Sequence, residues 1–189
     1  MKVSVACRPH FLTNIKMNSN SSTSDTGHKA SAVFDFVVYE VKETLALITI
    51  NRPEKHNAIS LQTLSELQTA VGLAAADEAV RVVAITGAGG RSFASGSDLN
   101  EVMHRDLKKA LEPIVQGLAQ QLEELPKSTI AAIDGICMGG GLEIALGCDM
   151  RICAKGSRFG TPEGKLGIIP GGGATVRLPR IVGRGWAME

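Results

Sequence analysis

"GICMGGGLEIALGCDM", residues 135–150, places three consecutive glycines directly before an apolar run that carries a single glutamate. Glycine loses more conformational freedom on folding than any other residue. Gly139, Gly140 and Gly141 therefore mark backbone that takes unusual angles or lies against something with no room for a Cβ. Beyond them Leu142, Ala145 and Leu146 fall at i, i+3 and i+4, the spacing of a buried helix face. The first N–H groups of such a helix have no partner within it and sit at the positive end of its dipole, so the triplet can present backbone donors to an anion or to developing negative charge. A glycine-rich turn closing a strand ahead of a packed helix fits the same letters, and this stretch alone leaves both readings open.

The flanking segments set the context. "VFDFVVYEV" (33–41) and "LALITINRP" (45–53) read as two strands joined by a turn at Lys42–Thr44. "SLQTLSELQTAVGLAAAD" (60–77) spaces Leu61, Leu64, Leu67 and Val71 helically behind a Ser60 cap. "RVVAITG" (81–87) is a buried strand, "DLKKALEPIVQGLAQQLEELPK" (106–127) mostly helix, "STIAAIDGIC" (128–137) a strand, and "DMRICAK" (149–155) another short strand. Strands alternating with helices predict an α/β domain with crossover connections.

Of the 189 residues, 44% are hydrophobic, enough for one domain with a proper core. Lys plus Arg is 20 and Asp plus Glu is 19, a balance that speaks against nucleic acid as the main partner. The longest apolar runs are strand-sized, so no membrane span is expected. Cys7, Cys137, Cys148 and Cys153 show no CxxC pairing and read as reduced structural thiols. Residues 1–32 are expected to form a tail ahead of a domain over 33–189. The first 24 residues are basic, acid-free and serine-rich, the composition of a transit peptide as well as of a dispensable tail.

A second loop, "GAGGRSFASGSDLNE" (87–101), leads from a strand into a helix, with Asp98 and Glu101 spaced as a capping box. Its glycines do not follow the phosphate-loop pattern, and Phe93 stands where a nucleophile elbow at Ser95 would need glycine. What remains is a small-residue loop able to offer bare backbone N–H groups.

In order and spacing, "FASGSDLNE", "MGGGLEIALGCDMRI" and "FGTPEGKLGIIPGGG" resemble the three signature stretches of the enoyl-CoA hydratase/isomerase (crotonase) family. "NRPEKHNAIS" resembles that family's early loop against the CoA moiety. The resemblance runs from about Phe34 to the last residue. It implies the crotonase, ClpP-like spiral fold of repeated ββα units, and two backbone amides, those of Ser95 and Gly140, holding the thioester oxygen as it becomes an enolate. Glu143 and Glu163, 20 residues apart, match the family's acid pair, with Glu143 orienting a water and Glu163 handling the proton at the α carbon. Lys55, Ala58, Gly96, Ser97, Asp98 and Leu99 would line the CoA and acyl site. The family commonly has alanine where this chain has Ser95, and His56 in the CoA loop could touch adenine or phosphate.

The implied activity is a hydro-lyase adding water across the 2,3 double bond of enoyl-CoA thioesters. An enoyl-CoA isomerase or another acyl-CoA enzyme is the alternative within the fold, and a catalytically silent fragment or RNA-binding relative the alternative outside it. No metal and no cofactor beyond the substrate's own CoA is expected. The chain ends at "GRGWAME" within what reads as a helix. The resemblance thus implies a C-terminally incomplete core, with a helical trimerisation segment to follow and a homotrimer or hexamer for the full-length protein. A cytoplasmic location is expected, or a mitochondrial one if the N-terminus is a transit peptide.

Overall fold

The computed structural model describes residues 31–104 and 114–189. Most of the expected tail, and the start of the helix expected after Asp106, lie outside the described residues. Strands β2 (Val37–Lys42) and β3 (Leu45–Ile50) form the expected hairpin, Val37 opposite Ile50 and Lys42 opposite Leu45. The single strand expected over 33–41 is two: β1 (Ser31–Val33) folds back antiparallel on β2, and between them the Phe36 N–H donates to Glu66 Oε2 at 2.8 Å. Ser31 and Ala32, assigned by composition to the tail, therefore belong to the sheet.

Helix α1 (Leu61–Ala76) starts where Ser60 predicts, its hydroxyl accepting from the Thr63 N–H at 3.1 Å. Leu64, Leu67 and Val71 are buried against the sheet, while Leu61, at the helix mouth, stays exposed. Ser60→Ala is expected to lower unfolding free energy by about 1 kcal/mol, read as an earlier urea midpoint with an unchanged slope.

From α1 the chain enters β4 (Val82–Gly87), which pairs parallel to β3, followed outward by β6 (Ser128–Ile133) and β8 (Met150–Cys153), also parallel. The six-stranded sheet has the order β1-β2-β3-β4-β6-β8. A second, three-stranded parallel sheet is built from β5 (Ser92–Ala94), β7 (Ile136–Met138) and β9 (Arg158–Gly160). From β4 on, each turn of the chain lays one strand in the large sheet and the next in the small one before the chain turns helical. After β5 come α2 (Leu99–Met103) and α3 (Ile114–Glu123), after β7 comes α4 (Gly140–Gly147), and after β9 a 3-10 turn at Pro162–Leu166 leads to α5 (Ala174–Val182) and α6 (Arg184–Met188). This is the winding of ββα units that the motifs imply.

The strand expected over 128–137 is cut in two by this winding. Gly135 has φ 74°, and a Cβ there would collide with the Arg91 carbonyl, so the chain turns sharply from the large sheet into the small one. Helix α4 also exceeds its expected single buried face. All eight of its residues are buried, packed among α3, α5 and the small sheet. The Asp98–Glu101 capping box is only half formed: Asp98 Oδ1 accepts from Asn100 N–H at 3.2 Å, but Glu101 Oε2 takes the Leu61 N–H at 2.8 Å and caps α1 instead.

Candidate active site

The small sheet is parallel, so the loops leaving β5, β7 and β9 emerge on one edge, where ligands of parallel sheets commonly bind. Residues 95–98, Gly139 and the Pro162–Leu166 turn meet there around a cleft of about 860 Å³. Lys55, Ala58, Ser95, Gly96, Ser97, Asp98, Leu99, Gly140, Glu143 and Glu163, all ten expected site residues, line it.

The glycine triplet is explained by its neighbours. Gly139 has φ 50° and caps α4, its N–H donating to the Gly160 carbonyl at 2.9 Å. A Cβ on Gly140 would sit 2.9 Å from Ser97 Oγ, and one on Gly141 2.6 Å from the Ala94 Cβ. The helix start is pressed directly against the loop after β5. As first residue of α4, Gly140 has no intrahelical acceptor, and its N–H finds no partner among the described residues.

The second expected donor moves by two residues. The Ser95 N–H donates to the His56 carbonyl at 3.1 Å and is not available to a ligand. Ile59 instead bridges around Ser97: its N–H donates to the Gly96 carbonyl and its carbonyl accepts from Asp98 N–H, both at 2.8 Å. A parallel bridge bonds through the neighbours of its central residue, leaving that residue's own amide turned away. The Ser97 N–H has no partner among the described residues, and its nitrogen lies 3.6 Å from where a Gly140 Cβ would be. The two unengaged amides beside each other in the cleft are therefore those of Ser97 and Gly140.

Two carboxylates face the same space. Glu143 on α4 is 3% exposed, and its Oε1 accepts from Gly172 N–H at 2.7 Å and Ala174 N–H at 3.0 Å. Burial raises its pKa above the usual carboxylate range. The two backbone donors and the Arg177 charge partly offset this, and the Glu163 charge adds to it. Glu163 sits on the Pro162–Leu166 turn, its Oε1 3.1 Å from where a Gly139 Cβ would stand. Glu163 Oε2 is buried and has no hydrogen-bond partner among the described residues.

Asp98, expected on the CoA side, is occupied within the protein. Its Oδ2 meets Arg52 Nη2 at 3.3 Å, and Arg52 Nη1 also donates to the Ala58 carbonyl at 2.7 Å while the guanidinium stacks 4.6 Å over Phe36. Arg52 and Asn57 were not singled out in the sequence. Asn57 is fully buried at φ 55°, its Oδ1 accepting from Arg52 N–H and its Nδ2 donating to the Ala88 and Ser92 carbonyls. Asparagine tolerates the left-handed region better than most side chains, the one signal that could have marked this position. Gly172 and Arg177 were likewise missed, although the glycines of "IIPGGGATVR" hint at a close approach.

Cys137 and Cys148 are buried thiols pushed up to about 12, a protonation state unsuited to nucleophilic chemistry. Among the described residues no cluster of His, Cys, Asp and Glu is placed to hold a metal ion. No helix among them is long and apolar enough to cross a membrane.

A sequence model described as enoyl-CoA hydratase/isomerase matches residues 40–189. The chain is 44% identical over 158 residues to a putative enoyl-CoA hydratase/isomerase of Bacillus subtilis, covering 82% of this chain and 61% of that protein. It is 40% identical over 158 residues to crotonyl-CoA hydratase of Syntrophomonas wolfei, with the same coverage of 82% and 61%. The crystal structure of an enoyl-CoA hydratase from Thermoplasma volcanium superposes with a TM-score of 0.76 at 37% identity, covering 81% of this chain and 62% of that one. The chain thus spans about three fifths of the length of these relatives.

Proposed function

Because this chain belongs to the enoyl-CoA hydratase/isomerase family, we propose that it carries the active site of a hydro-lyase that adds water across the 2,3 double bond of a 2-enoyl-CoA thioester. The observation that carries the reading is the meeting of two unengaged amides and two carboxylates in one cleft. Attack of water at the β carbon pushes electrons through the conjugated double bond onto the thioester oxygen. The Ser97 and Gly140 amides stand ready to hold that oxygen as an enolate. Donors fixed before reaction typically supply about 3 to 4 kcal/mol each to such a transition state.

Glu143 takes the proton from the attacking water. Its Oε1 is pinned by two backbone N–H groups, so Oε2 is the oxygen that faces the reaction. A raised pKa makes this carboxylate a stronger base than an exposed one, matching a general base to near-neutral working pH. Glu163 supplies the proton to the α carbon, and its unpartnered Oε2 is where that proton can reside. Proton exchange through the open cleft returns both acids to their starting states. In this reading CoA belongs to the substrate and no further cofactor takes part. An isomerase needs a single shuttling acid, so two acids facing one cleft favour hydration.

The pH dependence follows from Glu143. It must be ionised to accept the proton, so kcat/KM falls as pH drops through its pKa. Because that pKa is raised, the acid limb is expected above the ordinary glutamate value of about 4.3. A limb at or below that value would remove Glu143 as the base.

Loss of the conjugated enoyl absorbance of crotonyl-CoA in the full-length protein tests the activity itself. No turnover there, together with shuttling of a 3-enoyl-CoA to its 2-enoyl isomer, would replace hydration by isomerisation. Ile181, Val182, Trp186 and Met188 on α5 and α6 form an exposed apolar surface, and the homotrimer or hexamer that the family resemblance implies is one way to cover it.

A further inference from the structure

Glu143 is held by a loop that is itself held. Gly172 lies between two side chains: a Cβ there would run into Glu143 Oε2 on one side and Val115 of α3 on the other. Next along the chain, a Cβ on Gly173 would collide with Arg177 Nη1. The loop is thus pressed between the Glu143 carboxylate and the Arg177 guanidinium, with glycine at both faces. Arg177 Nη1 donates to the Gly172 carbonyl at 2.9 Å. Its other edge forms a two-point pair with Glu123 at the end of α3, Nε to Oε1 at 2.8 Å and Nη2 to Oε2 at 2.6 Å. A planar guanidinium engaged on two edges has little freedom to turn.

We propose that Arg177 is a positioning residue for Glu143: clamped by Glu123, its guanidinium holds the Gly172 carbonyl and so fixes the backbone of residues 172–174, whose Gly172 and Ala174 N–H groups, on the peptide units to either side of that carbonyl's, hold the carboxylate that receives the proton from water. Arg177 does not line the cleft, so its effect passes through the backbone at Gly172 and through its charge. The charged groups facing Glu143 are Glu163 from the Pro162–Leu166 turn and Arg177 from α5. Behind them stand Glu123 from α3 and Arg180 from α5, which act on the Arg177 pair. Among the described residues Arg177 is the one positive charge acting directly on the base, opposing both burial and Glu163.

The proposal rests on the hydration reading for its kinetic consequence but not for its structural one, and the test keeps them apart. In the full-length protein, Arg177→Gln is expected to lower kcat about tenfold or more with KM nearly unchanged, the cost of a catalytic group set slightly out of place. The acid limb of kcat/KM should move upward, since removing a neighbouring opposite charge favours the protonated carboxyl. Arg177→Lys keeps the charge but loses the planar fork, so the limb should return toward wild type while kcat recovers only in part. Glu123→Gln, a change at a half-exposed side chain, should lower kcat by less through the loosened clamp while moving the limb slightly downward, because a negative charge is lost and that of Arg177 stays, and it serves where Arg177→Gln folds poorly. Independently, the Glu143 titration can be followed by its carboxyl infrared band with Glu143→Gln subtracted, whether or not crotonyl-CoA is hydrated. An unmoved Glu143 titration in both Arg177→Gln and Glu123→Gln overturns the proposal. A moved titration in a protein inactive on crotonyl-CoA supports it and overturns the hydration reading instead.

Discussion

Glu163→Gln is expected to lower kcat for hydration by about 10²- to 10⁴-fold while leaving KM almost unchanged. The substitution keeps shape and size and removes only the proton that the α carbon must receive. Glu163 Oε2 has no hydrogen-bond partner among the described residues, so an amide nitrogen in its place breaks no bond to the protein. The fold should be untouched, and a thermal unfolding midpoint equal to wild type verifies this. An interaction made only in the transition state lowers kcat and kcat/KM together, which separates this role from simple substrate binding. A variant that kept near wild-type turnover would remove Glu163 from the chemistry and leave Glu143 to do both proton transfers.

Gly140→Pro comes next in expected size, with a loss of about 10²- to 10³-fold in kcat. Proline deletes the amide proton that Gly140 presents at the head of α4; the first helical position suits its backbone, while its Cβ, like that of alanine, would press on Ser97 Oγ. A loss of activity is thus separable from a loss of fold by checking that the variant unfolds near the wild-type midpoint. Gly140→Ala is the companion: it keeps the donor, but its Cβ would approach Ser97 Oγ to 2.9 Å, so Ser97 must give way and a smaller loss is expected. Ser95→Ala should be close to silent, because the Ser95 amide remains on His56 whatever its side chain. Full activity in Gly140→Pro would show that the thioester oxygen is held elsewhere.

The pieces that were legible in the sequence are those whose role is set by residue type and local spacing. Ser60 caps α1 because a hydroxyl one position before a helical stripe can reach an orphan N–H three residues on, and nothing distant is needed. The β2–β3 hairpin follows from two apolar runs and a short turn. The glycine triplet ahead of Glu143 pointed to unusual backbone angles or a neighbour with no room for a Cβ, and the crowding partners proved to be Ser97 and Ala94. All ten candidate residues reached one cleft because three of the four motifs follow the three strands of one parallel sheet.

The Ser95 and Ser97 exchange marks where such reading stops. Two serines flank Gly96, both with small side chains, and no local letter says whose amide is turned outward. That choice is made by His56 and Ile59, nearly forty residues earlier, which take up the bonds on either side. Asp98 is a similar case: an acid in a ligand loop reads as a ligand contact until Arg52 is found against it. The Asp98–Glu101 pair looked like a self-contained cap, yet Glu101 serves α1 because the tertiary fold sets the Leu61 amide within its reach.

The family resemblance named the two acids and the ββα winding; by itself the sequence determined the alternation of strands and helices, the Ser60-capped start of α1, the β2–β3 hairpin and a crowded place for the glycines. Each of these depends on backbone preference or periodicity within a dozen residues. Only the tertiary structure decided which amides are left without a partner, which charges are neutralised inside, and how the Glu143 carboxylate is aimed. Those outcomes depend on hydrogen bonds between residues about thirty or more positions apart, as between Glu143 and Gly172 or between Glu123 and Arg177, and a donor is free or engaged only relative to what the fold brings beside it.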